Sequence, residues 1–97
     1  MPVQITTKDN YVLTVFSTLY YEWGLMIEKN GTTLFNSPHA LSNECYGYKA
    51  PEGMEYEEAE EKEMLVEWND EDWKKMLQEE SDELIEAFLQ LKNNDVS

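Results

Sequence analysis

The spacing of the apolar residues changes halfway along the chain, and this change limits the folds open to it. From residue 21 to 28 apolar side chains alternate with other residues, which is the period of a half-buried β-strand. In the second half they recur at the spacing of one helix face instead, at Trp73, Met76, Leu77, Leu84, Phe88 and Leu91. A strand-rich half followed by an amphipathic helix predicts an α+β fold.

Two further strands and a hairpin are predicted before residue 40. Residues 3–7 and 11–18 are rich in β-branched and aromatic residues. Asn30-Gly31 suits a type I′ turn, because both central positions of that turn need positive φ. A two-residue loop there would pair Lys29 with Thr32 and set Ile27 opposite Leu34. Residues 45–51 are expected to form a loop or an edge strand, since a central strand excludes proline.

The start of a long helix is marked near residue 70. Asn69 is suited to the N-cap, three acidic residues follow it, and Trp68 can pack on Trp73 as a hydrophobic staple. The helix is expected over residues 70–92, ending at the polar pair at 93–94. Upstream, the propensities of residues 57–63 predict a helix through at least Glu63, whereas residues 64–68 suit either helix or strand.

These elements predict a single domain over residues 1–97. An antiparallel sheet of three to five strands from the first half would be covered on one face by the C-terminal helix. The side chains expected to meet in the core are Tyr21, Trp23, Leu25, Ile27 and Leu34 from the sheet, and Trp73, Leu77, Leu84 and Phe88 from the helix.

The charge of the chain is large, negative and unevenly placed. Twenty-one acidic residues oppose seven lysines, with no arginine, for a net charge of −14. Residues 1–50 hold four acids and three lysines, a net of −1, whereas residues 51–97 hold seventeen acids and four lysines, a net of −13. A basic surface for direct contact with nucleic acid or anionic lipid is therefore excluded.

Catalytic and metal-binding patterns are sparse. His39 and Cys45 are each the only residue of their type, and the glycines are dispersed, so the sequence predicts neither an enzyme nor a bound cofactor. The Glu-Glu-x-x-Glu spacing at residues 79–83 resembles the magnesium-binding motif of the all-helical MazG-type nucleotide pyrophosphohydrolases, which implies a metal-dependent hydrolase as a third interpretation. A single cysteine, no leader-like N-terminus and no long apolar run predict a cytosolic protein.

The leading hypothesis is a non-enzymatic inhibitor whose carboxylates bind a basic, nucleic-acid-handling protein. In size, charge and layout the chain resembles two groups of small acidic inhibitors, the immunity proteins of nuclease toxins and the phage anti-defence proteins that mimic DNA. The alternative is an adaptor that binds a partner or a second copy through apolar surface. The expected contact residues are Glu71, Glu79, Asp82, Glu83 and Glu86 on the long helix, Glu57, Glu58 and Glu61 before it, and Tyr46, Tyr48 and Tyr56 as aromatic anchors.

Overall fold

The computed structural model describes residues 2–18, 22–41 and 46–96, and the side chains of its last helix as far as Gln90. The first four strands form one antiparallel sheet in the order β1-β2-β3-β4, and the last helix covers one face of it, so the predicted α+β fold is confirmed. In chain order the elements are β1 (Pro2–Thr6), β2 (Tyr11–Ser17), β3 (Trp23–Lys29), β4 (Thr32–Ser37), β5 (Tyr48–Lys49), α1 (Tyr56–Glu61), β6 (Val66–Glu67) and α2 (Asp70–Val96).

Two rows of apolar side chains cross the first three strands on the face that α2 covers. Within each row the residues are directly opposite one another in the antiparallel register, and none is more than 9% exposed. Because side chains alternate between faces along a strand, this register brings the whole set to one side. The rows are Val3, Val15 and Leu25, and Ile5, Leu13 and Ile27.

The turn between β3 and β4 has the predicted geometry. Asn30 and Gly31 have φ angles of 52° and 80°, and both values lie in the left-handed region that a type I′ turn requires. Lys29 pairs with Thr32, as a two-residue loop demands. The Asn-Gly dipeptide therefore determines where the chain reverses.

A β-bulge in the same hairpin changes which residue of β4 reaches the core. The register shifts by one residue beyond the turn, so Ile27 lies opposite Phe35. The predicted pairing of Ile27 with Leu34 is wrong, because the bulge adds one residue to β4 and thereby exchanges its two faces. Phe35 packs on Phe88 of α2 with the ring centroids 4.9 Å apart, whereas Leu34 is half-buried and lies outside the buried cluster.

The first turn of α2 is closed by two reciprocal hydrogen bonds. The Asp72 N–H donates to Asn69 Oδ1 at 2.9 Å, and the Asn69 N–H donates to Asp72 Oδ2 at 3.0 Å. This is a capping box in which Asp replaces the more usual Glu or Gln. The predicted staple is confirmed as well, because the ring centroids of Trp68 and Trp73 lie 4.7 Å apart.

The other end of α2 differs from the prediction. The helix continues through residues 93–94 to Val96 instead of ending near residue 92. The two asparagines do not stop it, because each costs a helix interior at most about 0.7 kcal/mol relative to alanine. Neither glycine nor proline, the residues that end helices most effectively, occurs in this part of the chain.

The predicted core is confirmed in most of its members. Six of the nine expected side chains are buried, and Phe88 packs at the edge of the same cluster. Tyr21 lies outside the described residues. Leu41, fully buried after the hairpin, is a core residue that the spacing did not reveal. The six buried members are Trp23, Leu25, Ile27, Trp73, Leu77 and Leu84.

Five aromatic rings connect the sheet to the start of α2, and we refer to them as the aromatic chain. Trp23 of β3 lies 5.6 Å from Trp73 and 5.6 Å from Tyr48, measured between ring centroids. Trp73 contacts Trp68, whose centroid lies 6.2 Å from that of Tyr46. Tilted and edge-on arrangements of this kind are favoured by the aromatic quadrupole.

α1 ends at Glu61, so the predicted helix through Glu63 is wrong. Glu63 has a φ of 55°, and its N–H donates to the Glu60 carbonyl at 3.2 Å. The Met64 N–H donates to the Ala59 carbonyl at 2.8 Å. Together these bonds form a Schellman motif, in which the left-handed position is usually occupied by glycine. Because a glutamate occupies it here, the sequence carries no visible stop signal.

The chain after this motif is extended. Val66–Glu67 pairs with Tyr48–Lys49 as a two-stranded antiparallel sheet. Residues 64–68, which the sequence left open between helix and strand, thus contain a strand, and residues 45–51 contain the anticipated edge strand. Cys45 itself lies outside the described residues.

Replacing Glu63 with glycine should stabilise the protein. The substitution relieves a left-handed conformation that costs a non-glycine residue about 1–2 kcal/mol, and part of this gain is offset by the greater freedom of glycine in the unfolded chain. We expect the free energy of unfolding in urea to rise by about 0.5–1 kcal/mol. Glu60→Gly is the matched control, since the same change within α1 should lower stability by about 0.5–1 kcal/mol. A loss of stability in Glu63→Gly would contradict the left-handed conformation of Glu63 at the end of α1.

Candidate functional site

Four of the predicted contact residues form one exposed band on α2. Their spacing of i, i+3, i+4 and i+7 places them on a single helix face, and all four are exposed. None of them forms an ion pair with any side chain that the structure describes. We call this set, which consists of Glu79, Asp82, Glu83 and Glu86, the acidic stripe. Glu71 is also exposed, in the first turn of the helix.

The remaining predicted carboxylates lie on α1. Glu57, Glu58 and Glu61 are exposed. Glu58 Oε1 lies 2.8 Å from Lys62 Nζ, which reduces its contribution to the surrounding field. That ion pair adds little to stability, because exposed pairs at this helical spacing contribute about 0.3–0.5 kcal/mol. α1 shares no extensive contact with α2, so the structure places the two acidic sets on separate elements.

The three predicted tyrosine anchors have different environments. Tyr46 is half-buried beside Trp68, and its hydroxyl donates to Glu80 Oε1 at 3.4 Å. Tyr48 and Tyr56 are more exposed, at 39% and 38%, although Tyr48 keeps one edge against the aromatic chain. Tyr46 therefore helps to position a carboxylate, whereas the other two present ring surface to solvent.

Two exposed apolar side chains escaped the sequence prediction. Met64 and Val66 are 47% and 45% exposed, more than either Tyr48 or Tyr56. All four lie within residues 48–67, between the main sheet and α2, and we call this group the apolar segment. Met64 and Val66 could be placed on the surface only after residues 64–68 were known to be extended, which the sequence did not decide.

A shallow depression of about 290 Å³ runs along the first turns of α2. Its helical lining residues follow the i, i+3, i+4, i+7 and i+8 pattern from residue 72 to residue 80, so they share one face. Only Glu79 of this set was predicted as a contact residue, although the spacing was visible in the sequence. We call it the helix depression, and its lining residues are Trp68, Asp72, Lys75, Met76, Glu79 and Glu80.

Asp72 is held in place at one side of this depression. Lys49 Nζ lies 2.9 Å and 3.1 Å from its two carboxylate oxygens, and the Asn69 N–H binds it from the helix start. The hydrogen bond from Lys49 is the main reason that the pKa of Asp72 lies below its usual value, and the bond from Asn69 is the second. Asp72 is thus a fixed anion that ties β5 to α2.

The other sequence candidates do not assemble into a catalytic or metal centre in the described part of the chain. His39 Nδ1 pairs with Glu22, and both side chains are substantially exposed. No group of three or more metal-ligating side chains converges among residues 2–18, 22–41 and 46–90. In the Glu-Glu-x-x-Glu motif, Glu79 and Glu80 line the helix depression, whereas Glu83 lies only in the acidic stripe. Within the same residues no helix is long and apolar enough to cross a bilayer.

Comparison with known proteins gives no relative. No protein-family model matches the chain, and no curated protein or solved structure is significantly similar to it.

Asp72→Ala should show a pH-dependent loss of stability. A carboxylate whose folded pKa is lowered stabilises the fold fully above its unfolded pKa of about 3.9, and the effect disappears as pH falls through the lowered value. The difference in unfolding free energy from the unmodified protein should therefore be about 0.5–1 kcal/mol near pH 7 and shrink below about pH 4. Urea unfolding at several pH values measures it.

Lys49→Met is the matched variant, because it removes the main cause of the lowered pKa and leaves the capping residues unchanged. At neutral pH, Lys49→Met should lose part of the unfolding free energy that Asp72→Ala loses. The difference in unfolding free energy between Lys49→Met and the unmodified protein should also shrink in acid. If the loss of unfolding free energy in Asp72→Ala were the same at pH 3 and pH 7, the prediction would be wrong, and Asp72 would stabilise the helix start only through the geometry of the cap.

Proposed function

We propose that this protein is a non-enzymatic inhibitor that binds and blocks a basic, nucleic-acid-handling protein. The observation that carries the proposal is the acidic stripe, in which four exposed carboxylates share one helix face and pair with no described side chain. Such a surface attracts Lys and Arg of a partner and repels nucleic acid. A negative surface of this kind suits both an immunity protein that blocks a nuclease toxin and a phage protein that blocks a defence protein. The proposed function covers both roles.

The charge density of α2 supports mimicry of a nucleic acid. Between Asp70 and Glu86 the helix carries eight carboxylates within about 25 Å of axis. Duplex DNA carries one charge per about 1.7 Å of axis, so α2 alone provides roughly half that density. The exposed acids of α1 add to the total negative charge of the molecule. A net charge of −14 also exceeds the magnitude of about 2–8 that suffices for the solubility of a small domain.

The rigidity of the helix favours binding as well. α2 is attached to the sheet by buried Trp73, Leu77 and Leu84, and its first turn is closed by the capping box. The backbone positions that carry the stripe carboxylates are therefore held at fixed spacing before any partner arrives. Preorganisation lowers the entropy lost on binding and leaves more of the electrostatic attraction as affinity.

The proposed site of action is the cytosol, which fits a chain with one cysteine.

Reversal of charge in the stripe tests this function. Immobilised protein is used to capture partners from an extract of the source organism, the bound proteins are eluted with a salt gradient, and a basic partner is identified by mass spectrometry. Asp82→Lys/Glu86→Lys should weaken the purified complex at least 100-fold, about 2.7 kcal/mol, because like charges then face each other. Its circular dichroism spectrum should be unchanged, since both residues are exposed.

Asp9→Lys/Glu28→Lys is the matched control, with the same change in net charge on the strand-rich half of the chain. It should bind the partner with an affinity close to that of the unmodified protein. Equal affinities for the stripe variant and the unmodified protein would contradict the proposed function, as would a partner without basic surface.

A second candidate function is favoured by the apolar segment. Large side chains exposed by 38–47% at Tyr48, Tyr56, Met64 and Val66 suit an adaptor that binds through apolar contact. The two functions differ in their response to salt. An inhibitor guided by the stripe should associate much more slowly as ionic strength rises, whereas apolar binding should be almost independent of salt. For an adaptor, Met64→Gln/Val66→Thr should abolish binding and the stripe variant should not.

A further inference from the structure

The helix depression differs from the rest of the acidic stripe in including an aromatic ring and a methionine in its lining. The indole of Trp68 and the side chain of Met76 line it, and Asp72, Glu79 and Glu80 supply carboxylates at its rim. Trp68 is half-buried because its ring packs against Trp73 and Tyr46. The depression therefore combines an aromatic surface that is held in place with negative charge, whereas the stripe offers charge alone.

The three carboxylates are not equivalent. Asp72 is already bound by Lys49 and Asn69, and Glu80 accepts a hydrogen bond from the Tyr46 hydroxyl at 3.4 Å. Glu79 is exposed, and neither a hydrogen bond nor an ion pair joins it to any side chain that the structure describes. Glu79 is thus the carboxylate that an incoming cation meets first, with Glu80 already oriented beside it.

Lys75 is the only cation in the lining, and it opposes the binding of another. It lies four residues before Glu79, on the same helix face. Because Lys49 compensates Asp72, the charges that remain at the depression are those of Glu79, Glu80 and Lys75. The balance is still negative, and it becomes more negative if Lys75 is removed.

The size of the depression limits its occupant. A volume of about 290 Å³ lies at the lower end of the range of about 300–1,000 Å³ that is typical of small-molecule sites. An open site of this size accommodates one long side chain rather than a cofactor. Since arginine stacks on aromatic faces and binds carboxylates through two parallel hydrogen bonds, its guanidinium suits this lining better than the ammonium of lysine.

We propose that the helix depression is a specificity site that receives one arginine side chain of the basic partner. In this arrangement the guanidinium lies over Trp68 and donates to Glu79 and Glu80. The inference rests on the proposed function for the nature of the partner. It adds that the acidic surface distinguishes arginine from lysine at Glu79, whereas the other members of the acidic stripe, Asp82, Glu83 and Glu86, respond to charge alone.

The test compares two peptides of equal charge, acetyl-Arg-Arg-Arg-amide and acetyl-Lys-Lys-Lys-amide, binding to the full chain at low salt. Isothermal titration calorimetry measures the affinities, and the NMR signal of the Trp68 indole N–H reports contact with the depression. We expect the arginine peptide to bind about two- to five-fold more tightly, which corresponds to the 0.5–1 kcal/mol of an exposed cation–π contact. Only the arginine peptide should shift the Trp68 signal strongly.

Three variants test which residues cause the preference for the arginine peptide. Glu79→Gln should bring the affinity ratio of the two peptides close to one, whereas Glu86→Gln, with the same change of charge on the acidic stripe, should weaken both peptides equally and leave the ratio unchanged. Lys75→Met should strengthen binding of the arginine peptide because it removes the opposing cation. All three positions are exposed, so the fold should tolerate each change.

Equal affinities for the two peptides, or equal effects of Glu79→Gln and Glu86→Gln on the ratio, would overturn the arginine site. Either result leaves the inhibitor function intact, because that function requires only negative charge. Conversely, a natural partner that is insensitive to Asp82→Lys/Glu86→Lys would contradict the inhibitor function without altering the peptide result. The two proposals can therefore fail separately.

Discussion

The packing of Trp73 between Trp23 and Trp68 is the contact on which the rest of the structure depends. Trp73 is 1% exposed and touches the sheet through one neighbour and the start of its own helix through the other. The two outer tyrosines extend this aromatic chain to the segment that precedes α1. Gly47 is required beside it, because its φ is 98° and a Cβ there would come within 2.6 Å of the Trp23 ring.

The aromatic chain also determines where the charge of the molecule lies. With Trp73 facing the sheet, the helical period turns residues 79, 82, 83 and 86 towards solvent. The same rotation places buried Met76 and half-buried Glu80 in the lining of the depression, together with Trp68. Stripe and depression are thus two consequences of one helix orientation. Any change that rotated α2 about its axis would alter both together.

Local signals in the sequence were sufficient for those parts of the fold that are stabilised locally. The Asn30-Gly31 turn and the capping signals around Asn69 depend on neighbours within a few residues, and both predictions are confirmed. The exposure of the acidic stripe followed from the spacing of the buried residues alone. The bulge near Leu34 and the left-handed Glu63 were not predictable in this way, because each contradicts the local preference and is maintained by the surrounding structure. The helix depression escaped prediction because it combines a helix face with Trp68, which precedes the helix.

The departure at Glu63 affects the surface of the protein as well as the length of α1. A residue with positive φ that is not glycine costs stability, and here it ends α1 eight residues before α2 begins. A continuous helix would have placed the acidic residues of α1 and α2 on one helix axis. The stop instead directs Met64 and Val66 to the surface within the apolar segment. Met64 and Val66 are therefore exposed next to the carboxylates of Glu63 and Glu67, so apolar and charged surface alternate along this segment.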